Sequence, residues 1–144
     1  TSHYIPLSLA ICATFTMSLA IVGIADASEW TTYYTSSSGQ QRKAVVTING
    51  NAGSFNSYNR FGQYVGSGTL TNVRFGNLGG QATLRGVWNW NGGGAGTFVF
   101  LFNPQLTNFR GNWSYFGAAN VRSWNGRRTN GGGQLGENGP QLPN

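Results

Sequence analysis

From Ser28 to its last residue this 144-residue chain has no cysteine, no histidine and no aspartate. Its only side-chain carboxylates there are Glu29 and Glu137. His3, Cys12 and Asp26, the only residues of their kinds, all come earlier, in or beside an apolar leader. Each absence excludes a chemistry. General acid–base catalysis needs a group that titrates near the working pH. A serine nucleophile needs a base. A glycosidase of the usual kind needs two carboxylates flanking the bond. Zinc sites draw on Cys, His and carboxylates, and calcium sites on several carboxylates. None of these sets can be assembled, so the expectation is no enzyme activity, no metal site and no cofactor.

Acidic charge is also scarce. From Ser28 on, nine Lys and Arg face two Glu, a net charge of +7. Such a balance suits anionic partners. The cations are nevertheless dispersed at roughly strand spacing, and only Arg42-Lys43 and Arg127-Arg128 are adjacent. Dispersed charge reads first as a solubilising surface.

Composition divides the chain into a leader (1–27), a Gly-, Asn-, Thr- and aromatic-rich region (28–128), and a tail (129–144) that reads as a flexible terminus. Ile5–Ala25 carries no charge over 21 positions and is expected to form an apolar helix. Two readings remain open. Ala25-x-Ala27 has the small-x-small form of a signal-peptidase site, with cleavage before Ser28. The same run is also long enough to cross a bilayer. If it is retained, Ile5, Leu9, Phe15, Leu19 and Val22 are the side chains expected to meet lipid or a partner subunit. A bulky Ile before Cys12 argues against lipidation there. Both readings export the region that follows, to the periplasm, the cell surface or the medium.

That region is rich in short alternating runs. Apolar and polar residues alternate at period two, broken by Gly and Asn turns. The runs are 30–35, 42–48, 53–61, 64–75, 81–90, 97–102, 107–116 and 121–128. Asn49-Gly50 is a two-residue hairpin signal, and Pro104 suits the second position of a turn. Eight strands with short connections must run antiparallel, because parallel neighbours need long crossovers. The fold expected is all-β, an antiparallel up-and-down meander of about eight strands. It either closes, or nearly closes, into a small barrel or folds into two packed sheets.

The faces follow from the alternation. "LRGVWNW" (Leu84–Trp90) and "FRGNWSY" (Phe109–Tyr115) share one pattern. Leu84, Gly86, Trp88 and Trp90 share a face, as do Phe109, Gly111, Trp113 and Tyr115. Arg85 and Arg110 point the other way. Between the two runs, Phe98, Phe100 and Phe102 form a third aromatic face. The three faces should meet inside, with Gly86 and Gly111 leaving room for rings in a curved wall.

The motif order Gly86-x-Trp88, Gly96-x-Phe98-x-Phe100, Phe109-x-Gly111-x-Trp113 and Trp124-x-Gly126-x-Arg128 resembles small exported bacterial domains built from G-x-W and F-x-G-x-W strands. More loosely the region is similar to the eight-stranded up-and-down barrels of the avidin and lipocalin style. That resemblance implies a ligand cavity lined by aromatic side chains at one mouth. Avidin-type sites include an aspartate, which has no counterpart after Asp26.

Two functions follow. The leading expectation is a structural or assembly role, as an envelope component or an accessory subunit of a membrane complex or extracellular assembly. The alternative is a small-ligand or glycan-binding module. Its site residues would be the aromatics near strand ends, Trp90, Tyr115 and Trp124, with Trp88 and Trp113 in the core. Binding to nucleic acid is disfavoured, because Arg85 and Arg110 lie on the face opposite Trp88 and Trp113. An outer-membrane barrel is disfavoured too, because its outward face must be apolar.

Overall fold

The computed structural model describes residues 27–130, with side chains described through Thr129. The expected leader helix, with Ile5, Leu9, Phe15, Leu19 and Val22, lies outside the described residues, as does the tail beyond Asn130. Eight strands follow one another: β1 (Ser28–Thr35), β2 (Gln41–Asn49), β3 (Ala52–Tyr58), β4 (Tyr64–Leu78), β5 (Gln81–Trp90), β6 (Ala95–Phe102), β7 (Asn108–Tyr115) and β8 (Arg122–Asn130). Each pairs antiparallel with the next, and β8 pairs back onto β1, so the meander closes into a barrel. Closure leaves no strand edge unpaired. Of the two architectures open to the sequence, the closed barrel is the one formed.

Period-two alternation decides which side chains enter. In β6, Phe98, Phe100 and Phe102 are buried while Thr97 is exposed. In β2, Ala44, Val46 and Ile48 point in while Lys43 and Thr47 point out. Arg85 and Arg110 are exposed on the outer wall, as the alternation requires. The interior is a continuous aromatic cluster. Phe100 stacks on Phe109 with centroids 3.9 Å apart. Trp30 meets Phe102 edge-on at 5.3 Å, and Trp124 meets Phe100 at 5.1 Å. Removing such rings from water is the main favourable term in the fold, about 1.5–3 kcal/mol for a fully buried Phe.

A registry rule lets so many rings fit within a narrow barrel. Large inward rings stand opposite inward glycines on the neighbouring strand. The pairs are Phe55 with Gly68, Phe98 with Gly86, Phe100 with Gly111, and Phe109 with Gly126. Each ring lies across the backbone where its partner's Cβ would stand. The twin "R-G" motifs are therefore a packing device: glycine admits the ring from the next strand, and arginine faces water.

The structure departs from the sequence reading in a few places. The β2–β3 turn centres on Gly50-Asn51, one residue later than Asn49-Gly50, because Asn49 pairs with Ala52. Gly50 supplies the positive φ of 66° at the first turn position. The third strand stops at Tyr58 rather than at 61. Asn59 Oδ1 accepts hydrogen bonds from the Phe61 and Gln63 amides at 2.9 and 3.0 Å, which folds the backbone away from the sheet. β4 continues three residues beyond 75, across a bulge. Asn72 and Val73, between Thr71 and Arg74, together oppose the single residue Gly86 of β5, and Asn72 takes φ 52°. The extra residue switches the inward phase from Leu70 to Val73 and Phe75. Strict alternation would have buried Asn72 and exposed Val73. β8 extends past 128 to Asn130. The Pro104 turn forms as expected, with the Leu106 amide donating to the Asn103 carbonyl at 3.0 Å.

Candidate functional site

The two ends of the barrel differ. One end carries the hairpin turns at 50–51 and 79–80 and the turn at 103–107. There Trp30, Ile48, Val73 and Phe102 are buried, and Leu106 packs against them. Arg128 covers Trp30, with its guanidinium carbon 5.6 Å from the ring centroid. Side chains fill that end. The other end carries the longer loops, 36–40, 59–63, 91–94 and 116–121. It opens into a cavity of about 270 Å³. An eight-stranded barrel is just wide enough to be filled by side chains or to hold one small ligand. This barrel does the first at one end and leaves room for the second at the other.

Rings form the walls. Phe55 and Trp124 are the most buried of these rings, and Tyr34, Trp88, Trp90, Trp113 and Tyr115 line the cavity with them. They brace one another edge-to-face. Trp88 meets Trp113 at 5.4 Å and 90°, and Tyr115 meets both at 5.2 and 5.3 Å. Hydrogen bonds fix most of them. Trp88 Nε1 donates to the Ser114 carbonyl at 3.1 Å, Trp113 Nε1 to the Thr35 carbonyl at 3.0 Å, and Trp124 Nε1 to Thr32 Oγ1 at 2.8 Å. At the filled end Trp30 Nε1 donates to Ser28 Oγ at 3.0 Å. Trp90 is the exception. Its indole N–H donates to no protein acceptor among the described residues. Its ring is held by packing alone, against Phe55 at 6.0 Å and across the backbone of Gly66.

The polar part of the lining comes from β1, β2 and the loop between them: Ser36, Ser37 and Arg42. Arg42 lies two residues before Ala44, in phase with the inward positions of β2, and pairs with Tyr34 across the β1–β2 ladder. Its Nε is buried without a hydrogen-bond partner among the described residues. A neighbouring cation is used structurally. Arg122 Nη2 donates to the Ser37 carbonyl at 3.2 Å, and its guanidinium carbon stands 5.6 Å from the Trp113 ring centroid, pinning the 36–40 loop to β8. Among the described residues no carboxylate lines the cavity. Glu29, the only Asp or Glu among the described residues, is the second residue of β1, at the filled end.

The three residues singled out in the sequence therefore share one cavity. Tyr115 stands at the rim, 39% exposed; Trp90 is half-buried in the wall; Trp124 forms the floor, 4% exposed. Trp88 and Trp113 are buried, as the core reading has them, and they also face the cavity. Sequence reasoning missed Tyr34, Ser36, Ser37 and Arg42. For Arg42 the signal was present: extending the alternation of 44, 46 and 48 back by one step points position 42 inward. A second, more open depression lies on the outer wall beside the β4 bulge, flanked by Arg74 and Arg85. No group of three or more His, Cys, Asp or Glu gathers among the described residues.

Fold and site together define an eight-stranded up-and-down barrel, filled at one end and carrying an aromatic cavity at the other. Compared with known protein families and with curated proteins, the chain matches none.

Proposed function

We propose that this is a non-catalytic, exported binding domain whose barrel mouth takes a small ring-bearing ligand, such as a sugar or a comparable amphipathic molecule. The observation that carries the reading is the convergence of Trp88, Trp90, Trp113, Tyr115 and Trp124 on one cavity, with the Trp90 N–H left free to donate. Ring faces bury apolar ligand surface, and a few placed donors orient it. A cavity of about 270 Å³ is on the scale of a single ring.

The test is a titration of the domain with a panel of monosaccharides, methyl glycosides and small cyclic amphiphiles, followed by tryptophan emission. A saturable change is expected for at least one class. Trp90→Ala should weaken that binding about 10-fold, the scale of one stacked ring plus one hydrogen bond. Unchanged emission across the panel would remove the reading.

A second reading has its own observation. Phe61, Tyr64, Phe116 and Val121 are each more than half exposed, and all stand at the mouth end. Apolar tips grouped on one end of a small domain suit docking against another protein. This is the structural or assembly role, as an accessory subunit of a membrane or envelope complex. If it holds, replacing Phe61 and Phe116 by Ser should abolish co-purification of partner subunits from the native envelope and leave the titrations unchanged.

A further inference from the structure

Resting on the binding reading above, we infer that the ligand is an anion: a compact ring bearing a carboxylate, sulfate or phosphate group, with Arg42 as its counter-charge. Four observations carry this. First, Arg42 is on an inward position of β2 and lines the cavity, whereas Lys43 beside it faces water. A cation needed only for solubility would be placed outward. Second, its Nε is buried without an acceptor, and no ion pair or hydrogen bond engages the guanidinium among the described residues. A desolvated donor left unmade is costly, and an anionic group entering the cavity would satisfy it. Third, the nearby oxygens are committed elsewhere or neutral. The Tyr34 hydroxyl is engaged with Ser57 Oγ at 2.6 Å, and Ser36 Oγ with Ser38 Oγ at 3.0 Å. Fourth, no carboxylate among the described residues lines the cavity to compete for the guanidinium. The planar fork matches a two-oxygen anion, and the indole walls take the ring that carries it.

Acidic sugars and aromatic acids share this chemistry. The experiment therefore uses two matched pairs of probes: methyl glucuronide against methyl glucoside, and benzoate against benzyl alcohol. Binding is measured by calorimetry at constant ionic strength on the wild-type domain, Arg42→Gln and Arg110→Gln. Arg110→Gln removes the same charge from the outer wall. The wild type and Arg110→Gln should bind at least one anion about 10-fold or more tightly than its neutral partner. Arg42→Gln should lose that preference, binding the anion no more tightly than its neutral partner. Arg42→Lys keeps the charge without the fork and serves if Arg42→Gln does not fold; it should retain only part of the preference. Whichever pair shows the larger preference identifies the source of the anion. Equal affinity for charged and neutral probes in the wild type overturns the inference and leaves the binding reading standing. So does a preference that survives both Arg42→Gln and Arg42→Lys unchanged. Failure of all four probes to bind overturns the inference and counts against the binding reading as well.

Discussion

Phe100→Ala should destabilise the barrel by about 3–5 kcal/mol, a large share of the total stability usual for a domain of this size. Phe100 is fully buried at the centre of the ring cluster. Its ring centroid lies 3.9 Å from that of Phe109, in a stack, 4.7 Å from that of Phe98 and 5.1 Å from that of Trp124, edge to face. A closed barrel cannot collapse around the space, because every strand is hydrogen-bonded on both sides. The lost transfer energy and the unfilled cavity therefore add. Urea unfolding followed by tryptophan emission should show a midpoint lower by roughly 2 M with an unchanged slope. A loss below about 1 kcal/mol would mean that the ring cluster does not hold the barrel together.

Gly111→Ala should be nearly as damaging, although it adds one methyl group. The new Cβ would stand 2.7 Å from Phe100 Cδ1 and 2.9 Å from the Trp124 carbonyl oxygen, with the Val99 carbonyl closer still. Two of those three neighbours are backbone and cannot turn aside. Overpacking of this kind costs about 2–3 kcal/mol, which lowers the melting temperature by roughly 10–20 °C. Asn112→Ala, next in sequence and exposed, should change stability by less than about 0.5 kcal/mol. If Gly111→Ala melts like the parent, the glycine–ring registry is not what lets the barrel close.

Much of this was legible in the sequence, for a physical reason. A barrel with a wet outside and a dry inside imprints alternation on every strand, so "TFVFLF" and the two "R-G" runs declare their faces. Short connections force the antiparallel order. The β4 bulge left only a break of phase in the sequence, from Leu70 to Val73 and Phe75, which does not say where the extra residue sits. Only the pairing of Thr71 with Val87 and Arg74 with Arg85 shows the inserted residue. The turn at Gly50-Asn51 was misplaced by one position because Asn-Gly satisfies two turn registers, and the partner strand chooses between them. For the site, alternation brings Trp90 and Tyr115 to one end of the barrel. It cannot say that Trp88 and Trp113 are both core and cavity wall. That depends on how far the rings from β6 and β8 fill the interior. Arg42 escaped attention because a cation beside another cation reads as surface. Its inward phase is visible once β2 is taken as a whole.

The central claim is that the open mouth holds a ligand, and the five indole N–H groups report on it directly. Trp88, Trp90, Trp113 and Trp124 face the cavity, while Trp30 lies at the filled end. A nitrogen–proton correlation spectrum of the labelled domain, recorded with and without saturating methyl glucuronide or benzoate, separates them. The account predicts that the Trp90 indole signal moves most, that those of Trp88, Trp113 and Trp124 move with it, and that Trp30 stays in place. Indole signals that do not move with either probe, or a Trp30 signal that moves as far as that of Trp90, would contradict it.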